Sequence, residues 1–202
     1  MMLFVFMQLS GLNNVLFYME TILISGGVTV ILPSTVVSYA LASSILTASV
    51  CIGLYDKCGR RLLLMVSSVG VFVSLSSLGT HFVLKSAKIE WIGSQWLPVV
   101  SIFVFITFFV VGLGSIAAIV SSEVYSANIK PVAACMANLT AAASAFAVSK
   151  AYQPLVDTLG EAYVFYGHAL ITIMAVPYAL VFMPETKGKS LQQIQEDLIK
   201  RK

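Results

Sequence analysis

Two side-chain amides, Gln8 and Asn13, stand five positions apart in an otherwise apolar stretch, and two rings, Phe17 and Tyr18, follow close behind. An amide both donates and accepts hydrogen bonds, and a ring offers a flat apolar face. Such a set can hold a neutral polar solute or tie its helix to a neighbour, and the residue types leave both readings open. A second group is ionic. Asp56, Arg60, Arg61, Glu123, Lys130 and Glu185 fall at the edges of apolar runs, where charges can link one segment to the next. His81 and His168 lie alone within such runs and read as packing residues. No Ser–His–Asp set, carboxylate pair or metal-spaced cluster stands out, so enzyme chemistry has no foothold and no cofactor is implied. Cys51, Cys58 and Cys135 lack metal spacing and read as free thiols. Asn138-Leu139-Thr140 matches a glycosylation acceptor, but inside an apolar run the modifying enzyme does not reach it.

The frame that must position these groups is a lipid one. The 202-residue chain is 58% hydrophobic and 10% charged, whereas soluble domains carry about a quarter charged residues. Six apolar runs, at 3–24, 34–55, 62–84, 97–121, 132–149 and 163–183, approach or exceed the roughly 20 residues needed to cross a bilayer at about 1.5 Å each. They must be helices, because lipid leaves each segment to satisfy its own peptide groups and no barrel-like alternation is present. Breakers stand between them: Gly26-Gly27 and Pro33, Gly59, Gly93, Pro131, Gly160 and Pro184. Six crossings put nine Lys and Arg residues on one side and only Lys85, Lys88 and Lys150 on the other. That bias makes the first side, with both chain ends, cytoplasmic. The net charge of +3 is therefore a topology signal, and no nucleic-acid partner is implied. The opening run lacks the basic start of a signal peptide. Glu20 reads as interfacial, and Lys150 as reaching the outer interface along its stem. Small residues crowd positions 42–49 and 133–149, which allows close helix contact and makes the fifth span a bundle-interior helix. Gly112 and Gly114 predict a bend or close crossing in the fourth span. Beyond Pro184, Ser190-Leu191-Gln192-Gln193 has the form of a capping box, and Leu191, Ile194 and Leu198 share a face. The expected organisation is a membrane domain over 1–183 and a cytoplasmic tail with a short amphipathic helix over 184–202.

Four stretches carry a family resemblance. The first span reads Met7-Gln8-Leu9-Ser10-Gly11-Leu12-Asn13-Asn14-Val15-Leu16-Phe17-Tyr18, and the junction after the second reads Asp56-Lys57-Cys58-Gly59-Arg60-Arg61. The fourth ends in Glu123-Val124-Tyr125 followed by Lys130-Pro131, and the sixth in Pro184-Glu185-Thr186-Lys187-Gly188-Lys189-Ser190-Leu191. Together they resemble the C-terminal half of sugar porters of the major facilitator superfamily, nearest to insect trehalose and hexose transporters. The resemblance implies an all-α membrane protein: a six-helix bundle, spans seven to twelve of a twelve-span carrier, with a missing N-terminal six-helix half as its partner. The chain would then be a fragment, a truncated product or a degenerate half-copy, in the plasma membrane.

The resemblance also implies roles. A sugar presents a ring of hydroxyls and needs amides, hydroxyls and aromatic faces around it. Gln8 matches the second glutamine of the family's pair, Asn13 its sugar-contacting asparagine, Phe17 and Tyr18 the aromatic pair closing from outside, and Ser44 the place of a usual asparagine. Asp56, Arg60, Arg61, Glu123, Lys130 and Glu185 match a cytoplasmic gate network. Departures are many. Met7 replaces the first glutamine, and Leu113, Ser115 and Ala117 stand where prolines are frequent. Ala118 replaces a tryptophan, Ala141-Ala142 an Asn-Trp pair, and Lys130 an arginine that would bond with two prongs. The expectation is sugar transport by alternating access. Its rival is a non-transporting membrane interaction protein, a half that has decayed or pairs elsewhere.

Overall fold

The computed structural model describes residues 2–89, 93–125, 129–183 and Gln193, the side chain of Asp56 excepted. Within them run six helices long and apolar enough to cross a membrane: Met2–Ser25, Pro33–Tyr55, Arg60–Ser86, Trp96–Val124, Lys130–Leu159 and Glu161–Val181. The expected amphipathic tail helix falls outside the described residues, as does Glu185.

Three spans are interrupted. The first is α1 (Met2–Leu9) and α2 (Leu12–Ser25), parted at Ser10-Gly11. Gly11 has φ 80°, a left-handed conformation that only glycine adopts at little cost. The second span is α3 (Pro33–Lys57) and the third α4 (Arg60–Ser86). The fourth is α5 (Trp96–Phe108), a π-helical turn (Phe109–Leu113) and α6 (Gly114–Val124). The fifth is α7 (Lys130–Leu159), and the sixth α8 (Glu161–Ile173) followed by α9 (Ala175–Val181).

Helix α4 is the axis of the bundle. Its buried residues, among them Leu64, Ser67, Ser68, Val71, Leu75 and Leu78, recur at helical spacing and face α5, the π turn and α8. The fourth span approaches it closely enough to exclude side chains. A Cβ on Gly112 would lie 2.4 Å from Ser67 Cβ and 2.6 Å from the Leu63 carbonyl oxygen, and one on Gly70 would lie 2.2 Å from the Phe108 ring. The predicted close crossing at Gly112 is thus present, and Ser67 explains the wide turn within it. Its hydroxyl donates to the Phe108 carbonyl at 2.7 Å and accepts from the Leu113 amide at 2.8 Å, taking two backbone groups out of the α pattern. Tyr55 donates to the Val110 carbonyl at 2.9 Å and Ser115 to the same oxygen at 3.0 Å.

The fifth span corrects an expectation. Rather than interior, α7 is peripheral: 17% of its apolar window is buried, as for α3, against 56% for α4. Small residues do permit close contact, but among the described residues the exposed side of α7 meets no other helix. The span also runs ten residues beyond its expected end at Ser149, with Lys150, Gln153 and Asp157 exposed on the added turns and Pro154 within them.

Candidate functional site

The break in the first span brings the two amides together. Asn13 Nδ2 donates to Gln8 Oε1 at 2.7 Å, across Ser10-Gly11. Each amide keeps a polar end, Gln8 Nε2 and Asn13 Oδ1. Gln8 is buried, and Asn13 is half-buried at the start of α2. Phe4, one turn before Gln8, packs on Ala117, Ala137 and Ala141 of the fourth and fifth spans.

Asn13 begins an open face of α2. Phe17, four positions on, is 74% exposed, and Glu20, Thr21 and Ile24 continue the face. Tyr18 turns instead to the fifth span, where its ring lies 4.6 Å from that of Tyr152. The two rings thus face different ways: Phe17 lies on the open face with Asn13, and Tyr18 lies against Tyr152. Ser44 sits half-buried on α3, its hydroxyl given to the Leu41 carbonyl at 2.6 Å.

His168 on α8 corrects a second expectation. It is no isolated packing residue. Nδ1 lies 2.8 Å from the Leu9 carbonyl, which can only accept, and Nε2 lies 3.1 Å from Asn14 Nδ2. The ring is therefore neutral with its proton on Nδ1. His81 is also bonded, Nε2 to the Gly26 carbonyl at 2.9 Å. No local signal marks either contact, since the partners are 154 and 55 positions away.

Charges collect at the end holding the α3–α4 and α6–α7 junctions. Arg60 meets Glu123 at 2.9 Å, joining the third and fourth spans with both side chains largely shielded, 15% and 22% exposed. Arg60 also donates to the Tyr55 carbonyl at 3.1 Å. Arg61 Nε donates to the Ala179 carbonyl of the sixth span at 2.6 Å. Lys130 is exposed at the start of α7. Of the six residues read as a gate network, the structure joins Arg60 to Glu123 and directs Arg61 to backbone. At this end a cavity of about 150 Å³ is lined by Leu3, Phe4, Val120, Tyr125, Tyr178 and Phe182, among others.

The opposite end is tied by neutral and charged hydrogen bonds. Ser25 donates to Glu161 at 2.6 Å, and Lys85 donates to the Ser25 carbonyl, so the first, third and sixth spans meet. Gln95 Oε1 accepts from the Thr29 amide and hydroxyl and from the Val30 amide at 3.1–3.2 Å. No group of three or more histidines, cysteines or acids with metal-binding geometry occurs among the described residues.

Comparison with known proteins gives this geometry its context. The family described as Sugar (and other) transporter matches residues 1–198. The chain is 31% identical over 196 residues to a facilitated trehalose transporter, Tret1, of Anopheles gambiae, covering 97% of this chain and 25% of that protein. It is 32% identical over 198 residues to Tret1 of Bombyx mori, covering 97% and 39%. It is 34% identical over 201 residues to the sugar transporter ERD6-like 6 of Arabidopsis thaliana, covering 96% and 40%. The chain thus spans between a quarter and two-fifths of these relatives' lengths. In fold it is similar to the major facilitator proton:xylose symporter XylE bound to 6-bromo-6-deoxy-D-glucose. That match has a TM-score of 0.83 at 22% identity, covering 98% of this chain and 41% of the other.

Proposed function

This chain belongs to the sugar (and other) transporter family, and we propose that it forms one six-span lobe, the C-terminal half, of a carrier moving a sugar of the trehalose or hexose class by alternating access. The observation that carries this reading is the Gln8–Asn13 pair, two coupled amides at a helix break beside an open helix face. Broken helices beside a midplane cavity are how many carriers expose polar groups to solutes. The pair offers a donor at Gln8 and an acceptor at Asn13, the complement of a sugar hydroxyl, with the Phe17 ring one turn further on. Ser44, on the neighbouring span, is the further hydroxyl that we assign to the sugar.

A second six-span lobe covers the open sides of α3 and α7, whose small and apolar residues are otherwise left to lipid. Between the lobes the sugar is enclosed, and rocking of one against the other exposes it to either side. The Arg60–Glu123 pair, to which we add Asp56, Arg61, Lys130 and Glu185 from the sequence motifs, belongs to a cytoplasmic gate that biases that equilibrium, because poorly hydrated ion pairs favour one packing over another. The excess of Lys and Arg there supports the orientation. The protein is a multi-pass membrane protein, in this reading of the plasma membrane. Residues 1–183 form the lobe and 184–202 a cytoplasmic tail. We assign it no catalytic step.

A second reading, a lobe that associates without transporting, draws on the self-satisfied Ser44 hydroxyl and on Ala141-Ala142. Counterflow separates the two. Proteoliposomes carrying the transporter and preloaded with trehalose or glucose should accumulate the same labelled sugar. Gln8→Ala with Asn13→Ala should cut the rate at least tenfold at low sugar. An unchanged rate removes the site assignment, and no counterflow with either sugar favours the second reading.

A further inference from the structure

The sixth span reaches into the break of the first through one side chain. His168 Nδ1 donates to the Leu9 carbonyl, the last residue of α1, at 2.8 Å. Its Nε2 accepts from Asn14 Nδ2 in the first turn of α2 at 3.1 Å. One rigid ring therefore holds both helix ends at a fixed separation. The flat of the ring lies on Gly11, where a Cβ would come within 3.0 Å of two ring carbons. Gly11 is thus demanded twice, by its positive φ and by the imidazole above it. Asn14 is 1% exposed and its Oδ1 has no hydrogen-bond partner among the described residues. A buried acceptor left unpaired is a cost, and such costs persist where position matters more than stability.

We propose that His168 is a positioning residue for the sugar site: by bridging Leu9 and Asn14 it sets the angle between α1 and α2 and so the Gln8–Asn13 amide pair. The inference rests on the reading of that pair as the sugar contact. Gln8 lies one residue before Leu9, and Asn13 one before Asn14. A rotation of either half-helix about the break moves its amide directly, and the 2.7 Å bond between the two tolerates little of it. The imidazole bonds the Leu9 carbonyl and the Asn14 side chain, not the Gln8 and Asn13 amides themselves, so it acts on affinity through their placement.

The test uses the transporter in lipid nanodiscs and proteoliposomes with labelled trehalose and glucose. His168→Phe keeps a ring over Gly11 and removes both bonds; KM should rise at least tenfold while the maximal rate stays within twofold. His168→Asn, which restores a donor near the Nδ1 position, should recover at least a third of that loss on a logarithmic scale. The double variant Gln8→Ala with His168→Phe should be little worse than Gln8→Ala alone, since both act through one amide pair. A KM unchanged in His168→Phe but raised in Gln8→Ala overturns this inference and leaves the site reading standing; unchanged in both, it removes the site reading too. Should His168→Phe fail to fold, nitrogen-15 spectra of the unaltered protein decide. A neutral ring protonated at Nδ1 agrees, and the other tautomer or a freely exchanging ring overturns the proposal.

Discussion

Replacing Gly112 by alanine strikes a close crossing of the third and fourth spans. The added Cβ would lie 2.4 Å from Ser67 Cβ, 2.6 Å from the Leu63 carbonyl oxygen and 2.9 Å from Ser67 Oγ. Carbon atoms settle at about 3.5–4.0 Å, so the third and fourth spans must part by about 1 Å. One of the three obstacles is backbone and cannot swing aside. Overpacking of this kind costs about 1–3 kcal/mol. Separation also strains the two Ser67 bonds, to Phe108 and Leu113, each worth about 1 kcal/mol net. The sum is about 3–5 kcal/mol. For a chain of this size, 1 kcal/mol moves the midpoint by about 2–4 °C, so a mid-range loss lowers Tm by about 8–16 °C. The assay is thermal unfolding in a mild detergent, followed by far-ultraviolet circular dichroism, beside Gly53→Ala. There an added Cβ meets nothing within 4 Å, and higher helix propensity should raise stability by up to about 1 kcal/mol. Adding Ser67→Gly to Gly112→Ala removes two of the three clashes, so the double variant should be more stable than the sum of the singles by about 1 kcal/mol. A Gly112→Ala midpoint within 2 °C of the parent, or a Gly53→Ala loss of equal size, would mean that the crossing does not exclude a methyl group.

Other perturbations probe the two ends. Arg60→Gln and Glu123→Gln should each slow transport by leaving a shielded charge, and the pair together should be no worse than either, a coupling of about 0.5–3 kcal/mol in a double-mutant cycle. Arg61→Lys should lower stability by about 1–2 kcal/mol in the same unfolding assay, because lysine has no planar N–H to aim at the Ala179 carbonyl. Gln95→Ala removes the single oxygen that accepts from Thr29 and Val30. Amide exchange at these two positions should accelerate about tenfold, while protection in α4 stays unchanged.

The six crossings were legible because lipid imposes length and hydrophobicity on each span, and those are properties of contiguous residues. Gly112 was legible as a crossing for the same reason: a glycine in an apolar helix has few other uses. What escaped depends on distance. The break at Ser10-Gly11 carries no proline and its neighbours are apolar, so local pattern shows a continuous helix; the left-handed Gly11 and the bond from His168 create the interruption. His168 itself looked solitary because its partners lie 154 and 159 positions away. The peripheral place of α7 is not readable from its small residues, which mark closeness to some helix without saying whether that helix belongs to this lobe. Of the amides, spacing suggested a pair, and the break is what lets them bond. Phe17 and Tyr18 are adjacent in sequence and therefore about 100° apart around a helix, which is why one lies on the open face and the other against Tyr152.

Sugar protection of a single cysteine would show whether the open face of α2 meets the solute. In a transporter whose Cys51, Cys58 and Cys135 are replaced by alanine, Phe17→Cys places a thiol on the open face of α2, beside Asn13. Lys88→Cys and Lys130→Cys mark the two ends of the lobe. An impermeant thiol reagent added outside intact cells should modify Phe17→Cys and Lys88→Cys but not Lys130→Cys, and saturating trehalose or glucose should slow the first without touching the second. A Phe17→Cys reaction that neither sugar alters, or Lys88→Cys and Lys130→Cys reacting from the same side, would contradict the proposed site or orientation.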